Sequence, residues 1–205
     1  MTPRPSNTEA RRRQIAQALM HVMATEGYDG ATITAIAAEA GLTPGVVHYH
    51  FGSKLEIMLH MLHLLREDHR ATLTEALKAA GDAPWDRLKT FLDVHLAVGA
   101  HTDPHVTASW VALGSEALRH PPVARAYAET LEENAALLRS VIAQGCERGV
   151  FATDNVDIDT AALMATIQGY FAVAATTRRL IPRGSAAGAA LRMAHGLLRP
   201  SRSED

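Results

Sequence analysis

The stretch from Ala31 to Lys54, ATITAIAAEAGLTPGVVHYHFGSK, leaves this chain little freedom in how it can fold. It spells two short helices joined by a tight turn, and then the start of a third. Thr32 is placed to cap the first helix, whose apolar positions Ile33, Ile36, Ala37 and Ala40 recur at helical spacing. Gly41 tolerates the left-handed conformation that ends a helix. Leu42 turns inward, Thr43 is expected to cap the second short helix, and Pro44 suits its first position, where a missing N–H is harmless. Ser53 and Glu56 form a capping box that opens the next helix after Gly52. A turn this short makes the two helices cross steeply. That is the helix-turn-helix arrangement, which lays its second helix in the major groove of DNA.

Within the second short helix Val47 and Phe51 are four apart and face inward, leaving Pro44, Gly45, Val46, His48, Tyr49 and His50 for DNA. His48 and His50 can donate to phosphates or base acceptors, Tyr49 suits a phosphate oxygen, and Val46 can touch a thymine methyl. Gly45 lets backbone approach closely. No Arg, Asn or Gln stands on this helix, so the strongest bidentate base readers are missing. From the first short helix Thr32 and Thr34 are placed for phosphate or base, although Thr32 is equally an ordinary cap. Free N–H groups at the helix start beside Ser53 and Lys54 favour an anion there.

Electrostatics adds little. The 205 residues carry a formal net charge of −2, and residues 1–66 hold 6 Lys/Arg against 5 Asp/Glu. DNA affinity must then come from local placement of Arg4, Arg11, Arg12, Arg13 and Lys54, doubled by a second subunit. Modest non-specific affinity follows.

The rest of the chain reads as helices only. Ile15, Ala18, Leu19, Val22 and Met23 form one apolar stripe of a first helix, with Ser6 and Glu9 placed to cap it and Gly27 to end it. With the two short helices it makes a unit whose core is Ile15, Leu19, Val22, Ile36, Leu42, Val47 and Phe51. Later helices are expected from Lys54 to about Ala80, Trp85 to about Ala100, Asp103-Pro104 to Arg119, Val123 to about Arg148, Ile158 to Leu180, and Ser185 to about Arg199. The fold class is therefore all-α with nine helices. The domains are a DNA-binding domain at 1–53, an effector-binding and dimerisation domain at 54–200, and a disordered tail at 201–205. One cysteine, Cys146, rules out an intramolecular disulfide and fits a reducing cytosol. The opening residues, with Arg11, Arg12 and Arg13, do not read as a signal peptide. A cytoplasmic location is expected.

The helix-turn-helix residues also resemble a family. Gly27-Tyr28, Thr32-Ile33, Ile36-Ala37, Ala40-Gly41-Leu42-Thr43, Gly45, Tyr49, Phe51 and Ser53-Lys54 resemble the DNA-binding segment of TetR-family transcriptional regulators. The match is dense over about the first sixty residues. More loosely, Trp110, Glu116-Ala117-Leu118, Pro121 and Cys146-Glu147-Arg148-Gly149 resemble the C-terminal domain of the BetI-like branch of that family. The resemblance implies a homodimeric repressor that binds a palindromic operator and is released by a small-molecule effector. It implies that Lys54 meets a phosphate, that the C-terminal domain holds the effector, and that the last two helices form the dimer.

Candidate residues for those tasks come from the second half. Phe91, His95, Trp110, Tyr127, Met164 and Gln168 could line an apolar pocket with a few polar groups, and aromatic faces suit a quaternary ammonium ligand. Each is equally at home in a plain core. Thr160 to Thr177 is eighteen residues without a charge, about the lower limit for a bilayer span. Its threonines, Gln168, Gly169 and many alanines make it too polar and small for a lone span, so it reads as a helix buried against protein. Within it Ala161, Ala165, Gly169 and Ala172 form a strip of small residues that allows close helix approach, with Leu163, Ile167 and Tyr170 at its flanks. Leu191, His195 and Leu198 on the last helix would complete a four-helix interface with a symmetry mate.

Metal and catalysis find no constellation. His60 and His63, or His101 and His105, are joined by no cysteine pair or carboxylate cluster at ligand spacing. Ser109, Ser115 and Cys146 lack a nucleophile motif, and no glycine-rich phosphate loop exists. No cofactor, metal or enzymatic activity is expected.

Overall fold

A computed structural model describes residues 7–96 and 104–199. Among them stand nine α-helices and no strand: α1 Asn7–Gly30, α2 Ile33–Glu39, α3 Pro44–His50, α4 Lys54–Ala79, α5 Pro84–Leu96, α6 Pro104–Ala117, α7 Pro121–Glu147, α8 Val156–Thr176 and α9 Ala186–Leu198. The all-α expectation holds. The ends differ for local reasons. Gly27 breaks the helical path (φ 71°, ψ 174°), after which one more turn reaches Gly30. α7 starts at Pro121 and not at Val123, because a proline fits a first helical position. α8 stops at Thr176, and Arg178–Leu180 tighten into a 3-10 turn before Pro182. The expected cap residues Ser6 and Asp103 lie outside the described residues.

The chain forms two compact units. One draws on residues up to Asp68 and on Ala108–Ala128, the other on His69–Thr107 and from Glu129 onward. The chain passes from the first unit to the second inside α4, returns within α6 and leaves again within α7. The first unit buries Ile15, Leu19, Val22, Ile36, Val47 and Phe51, as the apolar spacing required, together with Ile57, Met58 and Leu62 of α4. Leu42 is only half-buried. Each such side chain contributes about 1.5–3 kcal/mol on leaving water.

The second unit closes over Leu88, Phe91 and Leu92 of α5, Leu138, Val141 and Ile142 of α7, Leu163 and Ile167 of α8, and Ala186, Ala190, Ala194 and Leu198 of α9. The alanines at every fourth position let α9 lie close against α5 and α8. Phe151 packs so tightly over α7 that a Cβ at Gly145 would lie 2.0 Å from its ring.

Only 28% of the apolar window of α8 is buried within the chain, and the helix is long and apolar enough to cross a membrane. Its inner face supplies Leu163, Met164 and Ile167 to the core, while Ala161, Ala165, Gly169 and Ala172 are all exposed.

Candidate nucleic-acid interface

α3 is presented from below by packing and from its end by side chains of α1. Val47 is fully buried and Phe51 nearly so, which fixes the helix rotation. The last carbonyls of a helix have no intrahelical partner. Arg12 fills that need: its Nη1 donates to the His50 carbonyl at 2.5 Å, its Nη2 to Glu56 Oε1 at 3.2 Å, and its guanidinium lies 4.0 Å from the Phe51 ring centre. Gln14 serves α2 alike, donating to the Ala40 carbonyl at 2.7 Å. Two side chains of α1 thus tie down the ends of both short helices.

The outward face is left clear. Tyr49 is 84% exposed, and Thr43, Pro44, Gly45 and His48 are exposed, while Val46 and His50 are half-buried. Tyr49 and His50 meet edge to face, with ring centroids 5.1 Å apart. Thr34 of α2 is exposed as well. Thr32 resolves its two readings in favour of the cap, its hydroxyl accepting from the Ala35 N–H at 3.1 Å. Thr43 is a correction. Its backbone is extended as a cap residue's must be, but its side chain makes no capping bond.

Lys54 is also more than a solvated cation. Its Nζ donates to the Tyr28 carbonyl at 2.5 Å and lies 4.1 Å from the centre of the Tyr28 ring. The capping box forms in shifted register: the Glu56 N–H reaches Ser53 Oγ at 3.1 Å, while Glu56 Oε2 accepts from the Gly52 N–H at 2.9 Å. That N–H, then Arg12, holds the Glu56 carboxyl below the usual range. Several cations assigned to DNA by sequence are engaged within the fold instead: Arg12 as above, Arg11 with Gln14 at 2.7 Å and Arg13 with Asp68 at 3.4 Å. Arg4 lies outside the described residues.

The six effector candidates are divided between the two units. Trp110 and Tyr127 belong to the first unit, with ring centroids 6.2 Å apart, and a Cβ at Gly114 would lie 3.2 Å from the Tyr127 hydroxyl. The other four belong to the second. Phe91 is fully buried core, stacked on His95 at 4.2 Å. His95 Nδ1 faces the Phe91 carbonyl at 2.8 Å and its Nε2 faces His69 Nε2 at 3.1 Å. Burial, then the neighbouring His69, lowers its pKa to about 3. Sequence reading missed His69, which no local spacing links to a partner 26 residues on.

Met164 and Gln168 line an apolar groove of about 540 Å³ between α7 and α8, with Leu131 and Ala135. Ala161 and Ala165 line it too, so the groove joins residues assigned separately to effector and dimer. Gly169 and Ala172 continue the exposed strip, and a Cβ at Gly169 would meet nothing within 4 Å. On α9 Leu191 is half-buried and His195 stacks on Trp85 at 3.8 Å. Leu198 is a correction: it is fully buried in its own core, out of a partner's reach. Leu163 and Ile167, read as flanks of the strip, are buried likewise.

Among the described residues no group of three or more His, Cys, Asp or Glu side chains could hold a metal. His60 and His63 face different carboxylates, Glu9 at 3.7 Å and Glu67 at 3.5 Å.

Residues 15–61 match the family of bacterial regulatory proteins of the tetR type, and residues 84–199 match the C-terminal domain of the BetI-type transcriptional repressor. The chain is 30% identical over 135 residues to the HTH-type transcriptional regulator BetI of Rhizobium meliloti, and 30% identical over 124 residues to that of Paraburkholderia phytofirmans. These matches take in 64% and 60% of the chain and span 66% and 63% of the relatives' own length, just under two thirds. Two solved structures share the fold at a TM-score of 0.81. A transcriptional regulator from Rhodococcus is 24% identical, covering 92% of this chain and 96% of that one. A regulator from Saccharomonospora viridis, solved in complex with choline, is 22% identical, covering 94% and 99%.

An exposed α3 whose end is held by Arg12 of α1 is the arrangement of a helix-turn-helix regulator. The chain belongs to the TetR family, with a C-terminal region of the BetI type.

Proposed function

We propose that this chain is a ligand-responsive repressor that binds a palindromic operator as a homodimer in the cytoplasm and is released by a small organic effector. The observation that carries the reading is the exposed face of α3: Tyr49 stands in solvent beside exposed Thr43, Pro44, Gly45 and His48, while Val47 and Phe51 are buried. Side chains so placed suit groove and phosphate contact. Lys54, at the start of α4, supplies the adjoining phosphate contact.

The dimer forms through Ala161, Ala165, Gly169 and Ala172 of α8, with Leu191 and His195 of α9. Support comes from the exposed apolar face of α8, which water solvates poorly and a second copy would cover. The effector is a cationic or apolar molecule held by the C-terminal helices. Support comes from the aromatic pair Trp110 and Tyr127 and from the choline found in a regulator of the same fold. By linkage, effector and operator weaken each other's binding by the same factor.

Gel shift with DNA flanking the gene for this chain tests the reading. A retarded dimeric complex that dissolves on adding a quaternary ammonium compound is expected. Absence of any complex, at low salt and with specific competitor omitted, rejects it.

A further inference from the structure

In the first unit, the C-terminal end of α1 meets the corner between α6 and α7 through a chain of contacts that DNA reading alone does not require. Lys54 Nζ is held by the Tyr28 carbonyl and lies over the Tyr28 ring, at the distances given above. The His120 ring meets Tyr28 edge to face, with centroids 5.7 Å apart and planes at 70°. His120 Nε2 stands 3.5 Å from Glu116 Oε2, an oxygen that makes no hydrogen bond on a side chain only 9% exposed. Beside them Arg119 faces Asp29 at 3.6 Å, in solvent. Residues more than sixty positions after the helix-turn-helix thus steady the lysine that opens α4.

We propose that His120, seated by Glu116, is a positioning residue for DNA contact, holding Tyr28 so that Lys54 is ordered before a phosphate arrives. This rests on the DNA-binding reading above. A lysine ammonium has three donors; one goes to the Tyr28 carbonyl, and no other partner is found among the described residues. Two donors therefore remain for a phosphate. A free lysine loses rotamer freedom when it binds, whereas this one has lost it on folding. The Tyr28 ring supplies the face for the cation, and burial, then Glu116 and Asp29, raises its phenol pKa and keeps the ring neutral. The His120 edge fixes the tilt of that ring. The buried carboxylate in turn gives the imidazole one preferred orientation, because an unpaired buried charge is costly.

The experiment compares full-length variants on an operator fragment located by footprinting the wild-type protein. His120→Gln keeps a donor for Glu116 and removes the ring; His120→Phe keeps a ring and removes the donor. Where His120→Phe does not fold, with Glu116 left against an apolar edge, the paired Glu116→Gln/His120→Phe protein takes its place. His120→Gln should bind roughly tenfold more weakly than wild type, with a shallower salt dependence, while the Phe variant stays within about twofold. Adding Lys54→Ala to His120→Gln should cost much less than Lys54→Ala costs alone, because both act on one contact. A simple structural role would lower thermal stability without moving the salt slope. Wild-type affinity in His120→Gln, or additive effects of the two substitutions, overturns the proposal. Failure of the wild-type protein to bind any fragment would instead defeat the DNA-binding reading, and the inference with it.

Discussion

Tyr49 and Lys54 make the residue scale testable, because one is free and the other is held. Tyr49→Ala removes an exposed side chain that stabilises nothing beneath it, so operator affinity should fall by tenfold or more while thermal stability stays unchanged. Lys54→Ala should weaken binding less selectively and make its salt dependence shallower by about one charge per subunit. Fluorescence anisotropy over a salt series reads both; unaltered affinity in the two variants would reject this docking.

His95 offers a different test. Its folded pKa of about 3 lies below its ordinary value near 6.5, so between these the unfolded chain binds a proton that the folded chain refuses. Stability is then complete above about pH 6.5 and falls as pH drops, by up to about 1.4 kcal/mol per pH unit. His95→Leu should flatten that decline in urea unfolding curves taken from pH 7 to pH 4. A slope equal to wild type would show that His95 does not govern it. Which residues of α3 face outward was legible in the sequence, because helical spacing decides it. The partners of Lys54, Arg12 and His95 were not, because each lies 26 or more residues away and follows from tertiary packing.

Among the elements, the short helices were legible in their order and placement but not in every cap. Thr32 and Thr43 look alike in sequence: each precedes a helix, and each has an extended backbone. Only Thr32 makes the capping bond. Thr32→Ala should cost about 1 kcal/mol in denaturant unfolding and Thr43→Ala distinctly less. Equal losses would mean that the two caps are equivalent.

α8 was legible as a helix with a long uncharged stretch and a small-residue strip, and the strip does face outward. Its other side was misjudged. Alternation of small and large residues does not tell which large ones a core will claim, and Leu163 and Ile167 went inward. Gly169→Arg isolates the strip, because nothing inside the subunit lies within 4 Å of a Cβ there. The variant should fold with near wild-type thermal stability, yet scatter light as a monomer or aggregate and lose operator binding. A soluble, DNA-binding dimer would remove α8 from the interface.

For the whole molecule, the charge is close to balanced. A chain with net charge −2, several of whose N-terminal arginines are engaged within the fold, has little to offer DNA at long range. In the proposed dimer the two recognition helices stand one DNA turn apart, about 34–36 Å, which calls for a palindromic target. The division within α4 was not legible, since nothing in its sequence marks the residue where packing changes sides. The most direct measurement is a footprint of the purified protein on the DNA flanking its gene, repeated with Tyr49→Ala and with the occupancy sized by light scattering. Two protected half-sites one turn apart, covered by a dimer and vacated in the Tyr49→Ala protein, are the predicted result. Protection of a single asymmetric half-site by a monomer, or an unchanged footprint in Tyr49→Ala, would contradict it.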